Sequence, residues 1–285
     1  YARAISDLQP TSSTSSTKGS IVELGEKLYN GDLKKDEGSD DFNRPANVWT
    51  YKSSEIGKYA DAADGEWTAK VTNKALYDAA GSDAYDNYEW TVYRNGDLIA
   101  QDGDTSTTAH DGRTAAFGSS SKTSSERVRT SGEGVLTQVF VDDDNNVILS
   151  QIHTYVAQVD GGYDEENEEL ELDDLGLDTF PAVNTTLSAD DFENLSAFED
   201  GDYVLITAVG DEVKTIQAAE VVSGTVTSYT SNKNVTLDGT KYEYSQGYSS
   251  TYNLKDDYDL VLDTYGYVIY ADGVEASNDY VFITN

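Results

Sequence analysis

Cysteine and methionine are both absent from this 285-residue chain, and proline occurs only three times. Without cysteine there is no disulfide, no thiolate nucleophile, no cysteine-ligated zinc and no iron–sulfur cluster. Histidine is scarce too, His110 and His153 being the two present. Positive charge is sparse: 19 Lys and Arg stand against 53 Asp and Glu, for a formal net charge of −34 at pH 7. The deficit is deepest from Thr130 to Val213, where no Lys or Arg occurs and 22 of 84 positions are acidic. Carboxylates a few Å apart repel by roughly 1 kcal/mol per pair even in water. Such a surface excludes nucleic acid and anionic membranes as partners. No apolar run reaches the ~18 residues a spanning helix needs, so no membrane insertion is expected. Neither a GxxxxGK[ST] phosphate loop nor a GxGxxG turn after a strand is found.

What the chain does have is β-forming material. Aromatics make up 11% of it, 21 of them tyrosines, beside abundant Val, Ile and Thr. That supply separates it from acidic chains too poor in apolar surface to fold. A chain that starts at Tyr1 and holds no Met reads as a processed product or a fragment.

Residues 1–20 run into a Ser/Thr-rich arm or linker. Residues 21–120 read as an α+β domain. Ile21, Leu24 and Leu28 fall at helical spacing ahead of a stop at Gly31, and NKALYDAAG predicts a second helix with Leu76 and Ala80 on one face. Asn95-Gly96, between alternating residues, is a hairpin signal. Residues 121–133 form a polar junction, and 134–285 read as one or two β-rich modules. Strands are predicted there at Val135–Val141, Val147–Val159, Tyr203–Val209, Val213–Ile216, Val221–Tyr229, Asn234–Leu237, Lys241–Tyr244, Asp259–Leu262, Tyr267–Tyr270 and Tyr280–Thr284. The fold class is therefore mainly β: two or three β-rich domains in series, antiparallel sandwiches or small barrels, with a minor α+β N-terminal part.

VFVDDDNNVIL (Val139 to Leu149) and LVLDTYGYVIY (Leu260 to Tyr270) match, with Asp142 on Asp263 and Asn145 on Gly266. Each predicts strand, tight turn, strand, and their 121-residue spacing suggests either a repeated module or a chance likeness of acidic hairpins.

FNRPANVWTYK, EIGKY and KVTNKALYDAAG (Phe42 to Gly81) resemble the region that follows the anchoring repeats in S-layer homology (SLH) domain surface proteins of Gram-positive bacteria. SIVELGEKLYNGDLKKDEGSDD before it, and AEVVSGTVTSYTSNKNVTLDGTKYEYS and DLVLDTYGYVIY after it, are similar to the same proteins, so the resemblance spans Ser20 to Asn285. It implies an extracellular, cell-surface structural protein without enzymatic activity. It also implies cell-wall polysaccharide as a partner, reached through SLH repeats that this sequence does not contain.

Few residues point to chemistry. A triad would have to use His110, in a loop, or His153, in a predicted strand, and Ser and Asp are too common to single out partners. Paired carboxylates for glycoside hydrolysis are available everywhere and specified nowhere. Calcium suits the acids better, because hard cations take six to eight oxygens from short flexible loops. The candidate ligands are Asp142 and Asp144 in DDDNN and Asp164, Glu165 and Glu166 in DEENEE. Neither segment matches an EF-hand loop; a hairpin turn is the simpler reading of Asp142 to Asn146, and a solvated acidic loop that of Asp164 to Glu169. Tyr242, Tyr244, Tyr248, Tyr252 and Tyr258 fit either strand packing or a sugar-binding face. The expected function is a self-assembling S-layer or filament subunit with homo-oligomeric neighbours and calcium offsetting its charge. An adhesin or carbohydrate-binding module is the alternative, and a halophile's protein would share the composition.

Overall fold

The computed structural model describes residues 33–87, 89–102, 111–118 and 121–273. The Ser/Thr arm, the helix at Ile21–Leu28, His110 and the strand at Tyr280–Thr284 lie outside the described residues. The chain is mainly β, with four small sheets among the described residues and α-helices between 73 and 117.

The first unit, residues 33–152, joins two sheets. Strands β1 (Leu33–Ser39), β2 (Pro45–Tyr51) and β3 (Ser54–Ala60) form an antiparallel meander. Then come β4 (Gly65–Trp67), helices α1 (Asn73–Ala80) and α2 (Ser82–Asn87), and the β5 (Trp90–Arg94) to β6 (Asp97–Gln101) hairpin. Helix α3 (Asp111–Phe117) and the hairpin of β7 (Leu136–Val141) with β8 (Val147–Ile152) complete the unit. The second sheet has the order β4-β7-β8-β5-β6. Its β5 and β8 run parallel, an exception to the antiparallel pairing seen in every other ladder.

Helix α1 forms where the sequence predicts it. Thr72 caps it by accepting from the Ala75 amide at 3.2 Å, and Leu76 and Ala80 point inward. They meet Trp90, Val92, Val139, Val147 and Leu149 from alternate positions of the sheet, with Phe117 of α3 beside Trp90 at a ring distance of 5.0 Å. The opposite face buries Gln138 and Ser150. There the meander docks through polar contacts: Arg44 donates to Gln138 at 3.0 Å and Ser150 to the Phe42 carbonyl at 3.3 Å.

Residues 121–133 are not a junction between domains. The Val128 amide donates to Val71 at 3.0 Å, Asn73 donates to Glu126 at 2.8 Å, and Val128 is fully buried. One apolar residue inside a polar stretch is enough to stitch it into the unit, and β7 and β8 beyond it complete the sheet begun by β4. The boundary falls instead at His153-Thr154. There the predicted strand Val147–Val159 divides into β8 and β9, so His153 lies in a connector and not on a strand.

Two units follow with one shared plan. The second contains β9 (Tyr155–Asp164), β10 (Glu169–Asp173), β11 (Thr186–Ser188), a 3-10 turn (Leu195–Ala197), β12 (Tyr203–Val209) and β13 (Glu212–Ala218). The third contains β14 (Glu220–Thr230), β15 (Asn234–Leu237), β16 (Thr240–Glu243), β17 (Asp257–Leu262) and β18 (Val268–Gly273). Their sheet orders, β11-β10-β9-β12-β13 and β16-β15-β14-β17-β18, are the same when strands are counted within each unit. A long first strand serves both halves. In β14, Glu220–Thr225 pairs with β17, and Val226–Thr230 pairs with β15. A parallel bridge from Tyr244 to Val268 joins the two ends of the third sheet, giving the five-stranded Greek-key order of a small barrel. In the second unit no such bridge joins β11 to β13 among the described residues.

The matched hairpins share a turn in detail. Asp142 accepts from the amides of Asp144 and Asn146 at 2.9 and 2.7 Å, and Asp263 accepts from Tyr265 and Tyr267 at 2.8 and 2.9 Å. Asn145 and Gly266, with φ of 62° and 85°, take the left-handed position that each turn requires. The hairpins nevertheless sit in units of different strand order, so the sequence match marks a common turn. The architectural repeat is that of β9–β13 and β14–β18.

The second and third units touch through strands buried on both sides. In β12, Val204 and Ile206 enter the unit's own core while Leu205 faces the third unit; in β17, Leu260 and Leu262 point inward while Val261 faces back. Val156, Leu205 and Val261 form the seam, each at most 3% exposed, and Tyr203 and Tyr270 pack over it with ring centroids 5.6 Å apart. Ala219 is the single residue between β13 and β14.

Leu170, fully buried in the second unit, should cost about 2–5 kcal/mol when changed to Ala. Leu98→Ala, at a side chain 56% exposed, should shift stability by less than about 0.5 kcal/mol. Urea unfolding of both variants against the parent checks this contrast.

Candidate functional site

The five candidate calcium ligands are placed in two separate turns. Asp142 and Asp144 lie between β7 and β8, while Asp164 ends β9 and Glu165 and Glu166 follow it in the turn to β10, all exposed. Asp142 is occupied by its own turn, accepting additionally from Asn146 Nδ2 at 3.0 Å. Asp164 accepts from the Asn167 amide at 3.1 Å, from Asn167 Nδ2 at 2.8 Å and from the Glu166 amide at 2.8 Å. Those bonds, the Asn167 amide foremost, hold its pKa below the usual carboxylate value. Among the described residues no three His, Asp or Glu side chains converge as a metal-ion group.

The tyrosines of the third unit are packing residues. Tyr244 and Tyr252 are buried in its core, with Tyr242, Tyr248 and Tyr258 packed against them. Edge-to-face contacts of 5.2 Å (Tyr244 with Tyr248) and 5.0 Å (Tyr252 with Tyr258) link the rings, and the Tyr248 and Tyr252 hydroxyls lie 3.2 Å apart.

Side chains converge elsewhere, in a cleft of about 460 Å³ where all three units meet. Its walls are the approach to β7 (Glu133 to Val135), the connector and start of β9 (His153 to Val156), and the β10–β11 connection (Leu177 to Phe180). The segment after β16 (Ser245 to Ser249), together with Asp263 and Ile269, closes it. These segments are far apart in sequence and carry no local motif. The sequence singles out His153, Tyr248 and Asp263 for other reasons, and no pattern marks them as neighbours.

The walls are held by a polar network. Asn95, in the β5–β6 turn, accepts from the His153 amide at 2.9 Å and donates to the Tyr155 hydroxyl at 2.8 Å. Gln246 donates from its side chain to the Ser131 carbonyl at 3.1 Å and from its amide to the Glu133 carbonyl at 2.7 Å, fastening the third unit to the first. Behind it Arg94 donates to Thr130 at 2.7 Å, and Thr130 to Gln151. Burial lowers the Arg94 pKa and raises that of Tyr155. His153 is pushed down to about 4, first by burial and then by the Arg94 charge, against a hydrogen bond with Gln246 that acts the other way. The imidazole is therefore neutral at pH 7.

Asp263 shows why Gly134 is glycine. The Asp263 carboxylate fills the space where a side chain at 134 would begin, its Oδ2 lying 2.1 Å from the position of a Cβ, and Gly134 has a φ of 84°. Burial raises the Asp263 pKa, and the turn amides oppose that shift.

The His153 ring itself contacts Asn95, Nδ1 lying 3.4 Å from Asn95 Oδ1, and hydrogen-bonds with Gln246. No protein-family model matches the chain, and no curated protein does.

Gly134→Ala should destabilise the junction by more than about 1 kcal/mol, through both the positive φ and the contact with Asp263, as thermal unfolding would show. For His153 the folded pKa lies below the unfolded 6.5, so its stabilisation is complete above pH 6.5 and is lost as pH falls toward 4. Between those limits the parent should lose roughly 3 kcal/mol more than His153→Asn does. Urea titrations at stepped pH give the difference directly. Equal pH slopes for parent and variant would contradict the assignment.

Proposed function

We propose that the chain is a structural cell-surface protein of a bacterium, assembling with its own copies as a subunit of an S-layer or extracellular filament. The observation that carries this reading is the way the units are joined. Connectors of one and two residues, an apolar seam and a polar clasp tie the three units to one another, as a protein that transmits position along its length requires. The SLH-type resemblance of Phe42 to Gly81 points the same way. So does the charge, which keeps such a chain dispersed until counter-ions are supplied.

In this reading divalent cations, calcium first, act between copies. Two of the exposed acidic turns, at Asp142 and at Asp164, offer oxygens at the surface, and a neighbouring molecule would supply the remaining ligands. Cell-wall polysaccharide would be reached through segments other than this chain.

Electron microscopy of the purified protein with calcium and with chelator tests the proposal. Ordered sheets or fibres that dissolve when calcium is withdrawn are the expected result. A monodisperse monomer in both buffers would overturn it, and assembly that demands molar salt but ignores calcium would replace calcium with general screening.

A further inference from the structure

The cleft between the three units has properties that mere packing does not require. Its volume of about 460 Å³ lies within the roughly 300–1,000 Å³ of small-molecule sites, and such sites favour boundaries between units. Its walls are fixed in advance: His153, Tyr155 and Gln246 are each anchored by hydrogen bonds to a unit other than their own or to the connector. A ligand would not have to bear the cost of ordering them.

The chemistry of the lining narrows the ligand. No Lys or Arg lines the cleft, while Glu133, Asp178 and Asp263 do, so phosphates, carboxylates and sulfates are repelled. Tyr155, Phe180 and Tyr248 bring aromatic surface, and Phe180 packs edge-on to Tyr155 at 6.5 Å. The lining also holds short uncharged hydrogen-bonding groups, Thr179 and Ser249 among them, both exposed. Rings for C–H faces, hydroxyls and an amide for O–H groups, and carboxylates as acceptors make a set that complements a sugar. A purely apolar ligand would leave the polar groups unpaired.

We propose that the junction cleft is a binding site for a neutral oligosaccharide, with Phe180 as a stacking surface and Gln246, Thr179 and Ser249 as hydrogen-bonding partners. The site is formed within one molecule and does not depend on assembly. The walls come from three units, so sugar binding and junction integrity are linked: a ligand that bridges them stabilises all three together.

The test uses the full chain, stripped of calcium and then exchanged into calcium-free buffer without chelator, at a concentration where sedimentation shows monomer, so that its outcome is separate from that of the assembly experiment. Maltotetraose, cellotetraose and tetra-N-acetylchitotetraose are titrated in turn, with tetragalacturonate as the anionic control and calcium chloride alone as the cation control. Calorimetry and tyrosine fluorescence provide the readouts. Saturable one-to-one binding of at least one neutral sugar is expected, weakened at least tenfold by Phe180→Ala and abolished by Ser249→Trp. The latter fills the cleft from an exposed position and should leave the thermal transition of the free protein in place. Absence of saturable binding by all three neutral sugars would overturn the proposal. Binding that Ser249→Trp leaves intact would overturn the location, and equal affinity for tetragalacturonate would overturn the argument from charge. A calcium response lost in Ser249→Trp, without any sugar response, would make the cleft a cation site instead.

Discussion

Burial of a strand on both of its faces is the constraint from which the rest of this structure follows. In β12 and β17 the alternation of side chains sends one set into a private core and the other, Leu205 and Val261, into a shared seam with Val156. Fully removing such a side chain from water is worth about 1.5–3 kcal/mol. A seam of three therefore competes in strength with the margin that holds a small domain folded. With Ala219 alone linking β13 to β14, hinge motion between the units would break the seam before it bent the chain. The second and third units are two copies of one strand order fused through their outer faces.

The first unit joins them by different physics. It presents buried polar groups and main-chain atoms, so its contacts are hydrogen bonds with fixed geometry: Asn95 to His153 and Tyr155, Gln246 to Ser131 and Glu133. A neutral His153 and a buried Asp263 are tolerated because each is surrounded by partners of matching sign or polarity. Geometry of this kind fixes orientation where an apolar seam would permit sliding. It also leaves the partly polar cleft at the centre. The acidic excess is kept on the outside, in turns such as Asp142 to Asn146 and Asp164 to Asn167 that use one carboxylate each for their own closure.

Much of the fold was legible in the sequence because most strands obey a local rule. Tyr203–Val209 and Asn234–Leu237 coincide with the predicted spans, the Asn95-Gly96 hairpin forms, and α1 buries the two residues its spacing selects. The strand β10 escaped notice, although Glu-Leu-Glu-Leu-Asp alternates perfectly and buries Leu170 and Leu172, because the acids around it read as a solvated loop. The continuous apolar runs Val204–Ile206 and Leu260–Leu262 signal two-sided burial, and they carry the seam in plain view. What one sequence cannot reveal is which distant segments meet. Val128 ties a polar stretch into a core laid down by residues 71–149, and the cleft draws on Glu133, His153, Phe180 and Gln246 without any spacing to announce it. The candidate calcium ligands were chosen by local acid density, a property that hairpin turns and ion sites share.

A protein built this way is suited to hold position more than to change shape, and that is the physical ground of the proposed structural role at a surface. Differential scanning calorimetry of the full chain tests the ground directly, by asking whether the second and third units melt as one. The account predicts a single transition for residues 155–273, with calorimetric and van't Hoff enthalpies in agreement, that splits in two when Leu205 and Val261 are both changed to Ala. Two resolved transitions in the parent chain would mean that the seam does not couple the units, and would contradict the account.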